Sequence, residues 1–262
     1  MCTVVVLWRP GHAWPLLLAA NRDERLDRAW DPPGAWWPER PGLVGGRDRL
    51  GGGSWMAIED GRVACLLNRP GSLGPAPGKR SRGELPALAL AGAPIAAGLY
   101  RPFNLVIAGR DGARFVRGDG VELAQWALPA GLSMITAYDP DDRASGRVRA
   151  HREAFLTEPS PPDWEPWRAA LSDATGPDPV FVPPRDGFGT VCSSVVAWPA
   201  DGAPAWHFRS GLGAWSVPCL ESPAEGAYAG AKPGGVSCDT MDGSGAHTPP
   251  HCTSGHPPGP LL

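Results

Sequence analysis

The chain has 262 residues with 24 Lys and Arg against 27 Asp and Glu, giving a net charge of -3 and a pI near 6.1. That balance excludes a sequence-independent nucleic-acid binder, which needs a basic surface. Hydrophobic residues make up 42%, enough for one sizeable core, yet the longest apolar runs fall short of a membrane span. With 35 Gly and 32 Pro, the body is expected to be rich in turns.

The six cysteines show no repeating spacing, and "MCTVVVLW" lacks the basic start and small-residue cleavage site of a secretory leader. Reduced thiols and a cytoplasmic location are the expectation.

In chain order, "TVVVLW" and "AWPLLLAA" flank "RPGHA" and read as a hairpin. Residues 29–41 ("AWDPPGAWWPERP") are too proline-rich for a regular element and are expected to loop around a pocket mouth. Residues 51–68 read as a second hairpin turning at Glu59-Asp60-Gly61. Residues 83–99, rich in Ala and Leu, predict a helix interrupted at Pro86 and Pro94. Residues 103–126 predict three strands joined by Asp-Gly turns. Residues 142–157 and 163–173 predict helices, the second capped by Pro162-Asp163, and 190–210 a closing hairpin.

Strands followed by helices and closing strands predict one α+β domain over residues 1–216 with antiparallel sheets. Residues 217–262 hold few large apolar side chains and are expected to form a disordered Gly/Pro-rich tail. Its Cys238, His247, His251, Cys252 and His256 fit no zinc-module spacing, so no metal or other cofactor is expected.

The apolar run before residue 20 ends abruptly in Asn21, Arg22, Asp23 and Glu24. With the first turn at Pro10–Ala13, positions summing to about 23 face each other. Cys2 then lies opposite Asn21, give or take two residues. A strand has period two, so Asn21 and Asp23 share one face and Arg22 and Glu24 the other. A slip of one residue exchanges the pairs, and which pair meets Cys2 stays open.

Trimming of Met1 would leave Cys2 with both a thiol, ordinarily near pKa ~8.5, and an α-amine near ~7.7–8.0. Nucleophile and base then sit on one residue. Arg22 is expected to lower the thiol pKa. Asp23 or Glu24 would orient the amine, and Asn21, with Asn68 as a second donor, would stabilise an oxyanion. Trp55 after the Gly51–Gly53 run, Arg82 in "SRGEL" and Asn104 are candidate substrate-binding residues. Ser81 and Glu84 also read as a capping box, and Cys65 and Cys192 as buried packers.

"MC", "LAANRDE", "GGRD", "GGGSWMAIEDGRVACLLN", "SRGEL", "YRPFNLVIAG" and "GFGTVCSSVV" occur in this order between residues 1 and about 210. Together they resemble the NRDE family, also called the transport and Golgi organisation 2 family. The resemblance implies an N-terminal-nucleophile-hydrolase-like αββα sandwich of two antiparallel sheets. It leaves the reaction open, since animal relatives are linked to Golgi organisation, secretion, lipid metabolism and haem mobilisation. Cysteine acylases of this type carry Arg-x-x-Asp after the first hairpin, whereas here Arg22 is followed at once by Asp23. Family members also carry an arginine in the "GT-x-SS" segment, where this chain has Val191 and Cys192.

The expected function is a cysteine hydrolase of an amide or related acyl bond, with a small-molecule substrate and an undetermined oligomeric state. The alternatives are a non-catalytic carrier of a haem- or lipid-like molecule and a trafficking factor.

Overall fold

The structure, a computed structural model, describes residues 2–72, 76–161 and 163–218. Met1 and residues 219–262, the bulk of the expected tail with its Cys and His donors, lie outside the described residues. In chain order the elements are β1 (Thr3–Trp8), β2 (Leu16–Arg25), β3 (Trp30–Gly34), β4 (Val44–Asp48), β5 (Met56–Glu59) and β6 (Arg62–Asn68). Helix α1 (Leu85–Leu90) precedes β7 (Phe103–Gly109), β8 (Gly112–Gly118), β9 (Leu123–Ala127) and β10 (Gly131–Ile135). The chain closes with α2 (Gly146–His151), α3 (Glu165–Leu171), β11 (Phe188–Trp198) and β12 (Ala205–Ser210).

The strands form two antiparallel sheets. The first has the order β10-β1-β2-β11-β12 and the second runs β3 to β9 in sequence order. Strand alternation assigns each face. Val4, Val6, Leu16 and Leu18 of the first sheet meet Met56, Val63, Cys65, Val106 and Phe115 of the second in a shared core. The intervening Val5, Leu7, Leu17 and Ala19 pack under Val148, Trp164, Trp167 and Leu171 from the α2–α3 region. On the far side, Ala57, Ala64, Leu105 and Ile107 pack under Leu85, Ala89 and Leu90 of α1. The α+β architecture is thus two antiparallel sheets face to face with helices outside each. Each large side chain buried in these layers contributes about 1.5–3 kcal/mol.

The two hairpins form where the sequence places them. Asp60 (φ 48°) and Gly61 (φ 72°) supply the two positive-φ positions that a two-residue turn between β5 and β6 requires. The three strands over 103–126 are β7, β8 and β9, and the closing hairpin is β11–β12.

Other expectations need correction. The stretch 29–41 contains strand β3, because Pro32 and Pro33 sit on the edge strand of the second sheet, where a missing N–H is tolerated. The long helix over 83–99 is reduced to α1, flanked by 3-10 turns at Arg82–Glu84 and Ala97–Leu99. Pro86 lies in the first turn of α1, where it causes no break. Residues 142–157 form α2 capped by Ser145, then a 3-10 turn at Arg152–Leu156.

The Gly51–Gly53 run serves a backbone contact. A Cβ on Gly53 would sit 2.3 Å from the backbone carbon and oxygen of Gly83, and Ser54 N–H donates to that same carbonyl at 2.8 Å. Backbone cannot swing aside as a side chain can. Gly53→Ala is therefore expected to cost about 1–3 kcal/mol, the usual range for overpacking, read as a lower midpoint in urea denaturation.

Candidate active site

The register answers which pair meets Cys2. Thr3 pairs with Asn21, so the next step outward sets Cys2 beside Arg22, and on the other side of β2 Cys192 pairs with Arg22. Arg22 is thus flanked by two cysteines on neighbouring strands. The predicted sum of 23 is off by one, within its stated tolerance.

Asn21 and Asp23 turn to the helix side. The Asn21 amide nitrogen donates to the carbonyls of Leu171 and Val180, both at 2.9 Å. Asp23 Oδ1 accepts from Thr190 Oγ1 at 2.7 Å, and Oδ2 accepts from Arg147 Nη1 at 3.0 Å, whose nitrogen also donates to Thr3 Oγ1. The side chains of Asn21 and Asp23 therefore do not surround the thiol. Asp23 meets it through its backbone, whose carbonyl accepts a long hydrogen bond from Cys2 Sγ at 3.8 Å.

Arg22 faces the inter-sheet space. Its Nη2 donates to Asp48 Oδ2 at 3.1 Å and to Glu24 at 3.4 Å, and its guanidinium lies 4.2 Å above the Trp55 ring. Its Nη1 is buried and has no hydrogen-bond partner. Arg22, Cys2, Cys65, Cys192 and Trp55 line one small cavity of about 10 Å³ between the sheets, room for about one water. Cys2 itself is half-buried, while Cys65 and Cys192 are buried.

The thiols differ in what acts on them. Burial pushes the Cys2 thiol above its ordinary value, and the Asp23 charge adds to this; the amino-terminal charge, the Asp23 carbonyl and Arg22 pull it back only in part. Arg22 therefore lowers the thiol pKa as a contribution, while the sum goes the other way. Burial lifts Cys65 far out of the titratable range and Cys192 to about 12. Burial also works against the Asp48 carboxylate, but hydrogen bonds from Arg28 and Gly51 N–H, with the charges of Arg28 and Arg22, hold it below the usual range.

Glu24 lies on the Arg22 side of the strand, ion-paired to Arg22 and 3.7 Å from Arg28. Arg82 donates to the Pro102 carbonyl at 2.8 Å and is near enough for the charges of Cys2 and Glu24 to act on it. Asn68 ends β6 on the parity of Ala64 and Leu66, which pack against the α1 layer, whereas Cys65 and Leu67 take the inter-sheet face. Alternation along the strand thus turns the expected second donor away from Cys2.

Asn104 is fully buried. It donates to the Thr136 and Tyr138 carbonyls and accepts from Arg69, tying β7 to the end of β10. In the Ser81–Glu84 turn, Ser81 Oγ accepts from Gly83 N–H, and the Glu84 carboxylate pairs with Arg80. Sequence reasoning missed Asp48 as the partner of Arg22, although "GGRD" displays it. It also missed Arg147 and Thr190 behind Asp23, which lie more than 120 residues away and leave no local signal.

Among the described residues no group of three or more His, Cys, Asp or Glu is disposed to hold a metal ion, and no helix is long and apolar enough to cross a membrane. No curated protein sequence matches the chain. The family model described as Transport and Golgi organisation 2 matches residues 1–115, which include Cys2, Arg22, Asp48 and Trp55. Over that stretch the chain is similar to the Transport and Golgi organisation 2 family.

Proposed function

We propose that the protein is a cysteine hydrolase of an amide or related acyl bond, with Cys2 as nucleophile once cleavage of the Met1–Cys2 bond frees its amine. One observation carries this reading. The Cys2 thiol and Arg22, with its unpartnered buried Nη1, share a cavity that seats about one water. Such a space is too small for an acyl chain and suits a single oxygen atom. It reads as the place where a carbonyl oxygen becomes an oxyanion beside a fixed positive charge. The substrate then reaches the half-buried thiol from the sheet edge. The same volume does not favour the carrier reading, since a haem- or lipid-sized ligand does not fit it.

In the first step the α-amine of Cys2 accepts the thiol proton, and Sγ attacks the acyl carbon. The amine then returns that proton to the leaving nitrogen as the C–N bond breaks. A thioester remains, which water resolves to the acid and the free thiol. Asp48 and Trp55 hold Arg22 in place from below. Asp23, gripped by Arg147 and Thr190, fixes the carbonyl beside Sγ.

The test compares thiol labelling in the chain that retains Met1 with the chain that starts at Cys2, mapped by mass spectrometry across pH. With Met1 in place the raised thiol pKa predicts slow labelling at pH 7 that climbs only above the ordinary thiol range. With a free amine, labelling of Cys2 should be far faster and rise near pH ~8, where that amine titrates. Equal rates in both forms, no faster than in a short N-terminal Cys peptide, would overturn the mechanism.

A further inference from the structure

The helix side of the first sheet carries a charge imbalance remote in character from the Cys2 cavity. Of the three buried arginines among the described residues, Arg22 meets Asp48 and Arg147 meets Asp23. Arg209 on β12 meets no carboxylate: its Nε donates to Ser193 Oγ at 3.3 Å, and its Nη2 is buried without a partner. Its guanidinium lies 5.8 Å from the Phe181 ring and 4.7 Å from the Trp215 ring.

A second guanidinium shares the same ring. Arg168 on α3 lies 5.1 Å from the Trp215 centroid, its Nη2 is 2.7 Å from His207 Nδ1, and its Nε is also buried without a partner. Among the described residues Arg168 forms no ion pair, although Glu165 and Asp163 are near enough to act on it through space. The histidine is held neutral, since burial and the Arg168 charge both lower its pKa, and it offers a lone pair to Arg168. Two like charges thus stand together in a partly desolvated place with no carboxylate paired to either among the described residues. Buried charges are ordinarily paired, and leaving one unpaired is costly.

Trp215 is held over both by a return of the chain: Phe208 and Ser216 exchange two backbone hydrogen bonds of 2.8 Å. Arg168 is half-exposed, so that its side chain reaches from the buried cluster to solvent.

We infer that Arg168 and Arg209, under Trp215, form an anion-binding site that takes a small oxyanion of the phosphate or carboxylate class. Its oxygens accept from Arg168 Nε and Arg209 Nη2, the two donors that the fold leaves unused. The aromatic faces of Trp215 and Phe181 hold the guanidinium planes, so that binding costs little reorganisation.

The test uses the full chain, freed of phosphate, and follows its melting temperature and calorimetric titration with inorganic phosphate and with acetate, each against sodium chloride at matched ionic strength. A saturable rise with at least one anion is expected, phosphate alone marking a tetrahedral ligand and acetate alone a carboxylate. R168Q and R209Q should each weaken that binding tenfold or more. In chloride R168Q should melt no lower than the unmodified chain, because it removes an uncompensated charge, and the order should reverse with the bound anion. If R209Q fails to fold, R168Q at its half-exposed position carries the test alone. No rise beyond chloride with either anion, or an equal rise in R168Q, would overturn the site.

Discussion

Asp23→Ala is expected to destabilise the protein by about 3–5 kcal/mol, the usual cost of removing one partner of a buried ion pair. The carboxylate is fully shielded and its Arg147 partner nearly so. Taking it away leaves a guanidinium in the helix layer without its carboxylate and Thr190 Oγ1 without its acceptor. At roughly 2–4 °C per kcal/mol for a domain of 150–250 residues, the melting temperature should fall by on the order of 10 °C. Asp23→Asn keeps the shape and one acceptor oxygen but loses the charge, and should fall between the two. A drop of under about 1 kcal/mol in Asp23→Ala would show that Arg147 finds other partners. The same substitution removes a charge that raises the Cys2 thiol pKa and leaves the backbone carbonyl in the chain, so thiol labelling should quicken in any chain that remains folded.

The second large effect is on chemistry. Cys2→Ala should abolish hydrolysis of any amide the protein turns over, a loss on the order of 10³-fold or more, as for other nucleophile deletions. Stability should change by no more than about 1 kcal/mol, because the lost sulfur is half-buried and its one hydrogen bond is long. The measurement is turnover across a panel of small acyl amides beside a thermal melt of the same preparation. Turnover that survives in Cys2→Ala, with the melt unchanged, would remove Cys2 from the mechanism. Cys65 and Cys192 cannot substitute for it, since burial holds both thiols protonated at neutral pH.

These two expectations separate what the sequence displays from what it conceals. Period-two alternation splits Asn21 and Asp23 from Arg22 and Glu24, and the structure keeps that split. The hairpin count sets Cys2 beside the cluster to within one residue. Both are local properties, written within 25 residues. Which face meets which layer is not local. It depends on β11 arriving beside β2 and on α2 presenting Arg147 to Asp23, contacts that composition and spacing do not encode. Asn68 shows the same limit: the end of its strand lies where expected, yet a single step of alternation decides its face. Strand β3 was hidden for another reason. Its prolines are allowed only because no strand pairs beyond it, and edge position is a property of the finished sheet.

The strand order also sets a clock. β2 is the middle strand of its sheet, with β1 on one side and β11 on the other, and β11 begins 163 residues after β2 ends (188 − 25). At about 5–20 residues per second of synthesis, the amino-terminal hairpin waits on the order of 10–30 s for the partner that completes its sheet. Until β10 arrives beside β1, Cys2 adjoins a two-stranded hairpin of a kind marginal in water, and β2 stays without β11 for the rest of that interval. On the proposed reading, cleavage of the Met1–Cys2 bond during synthesis would precede completion of the sheet that β2 centres.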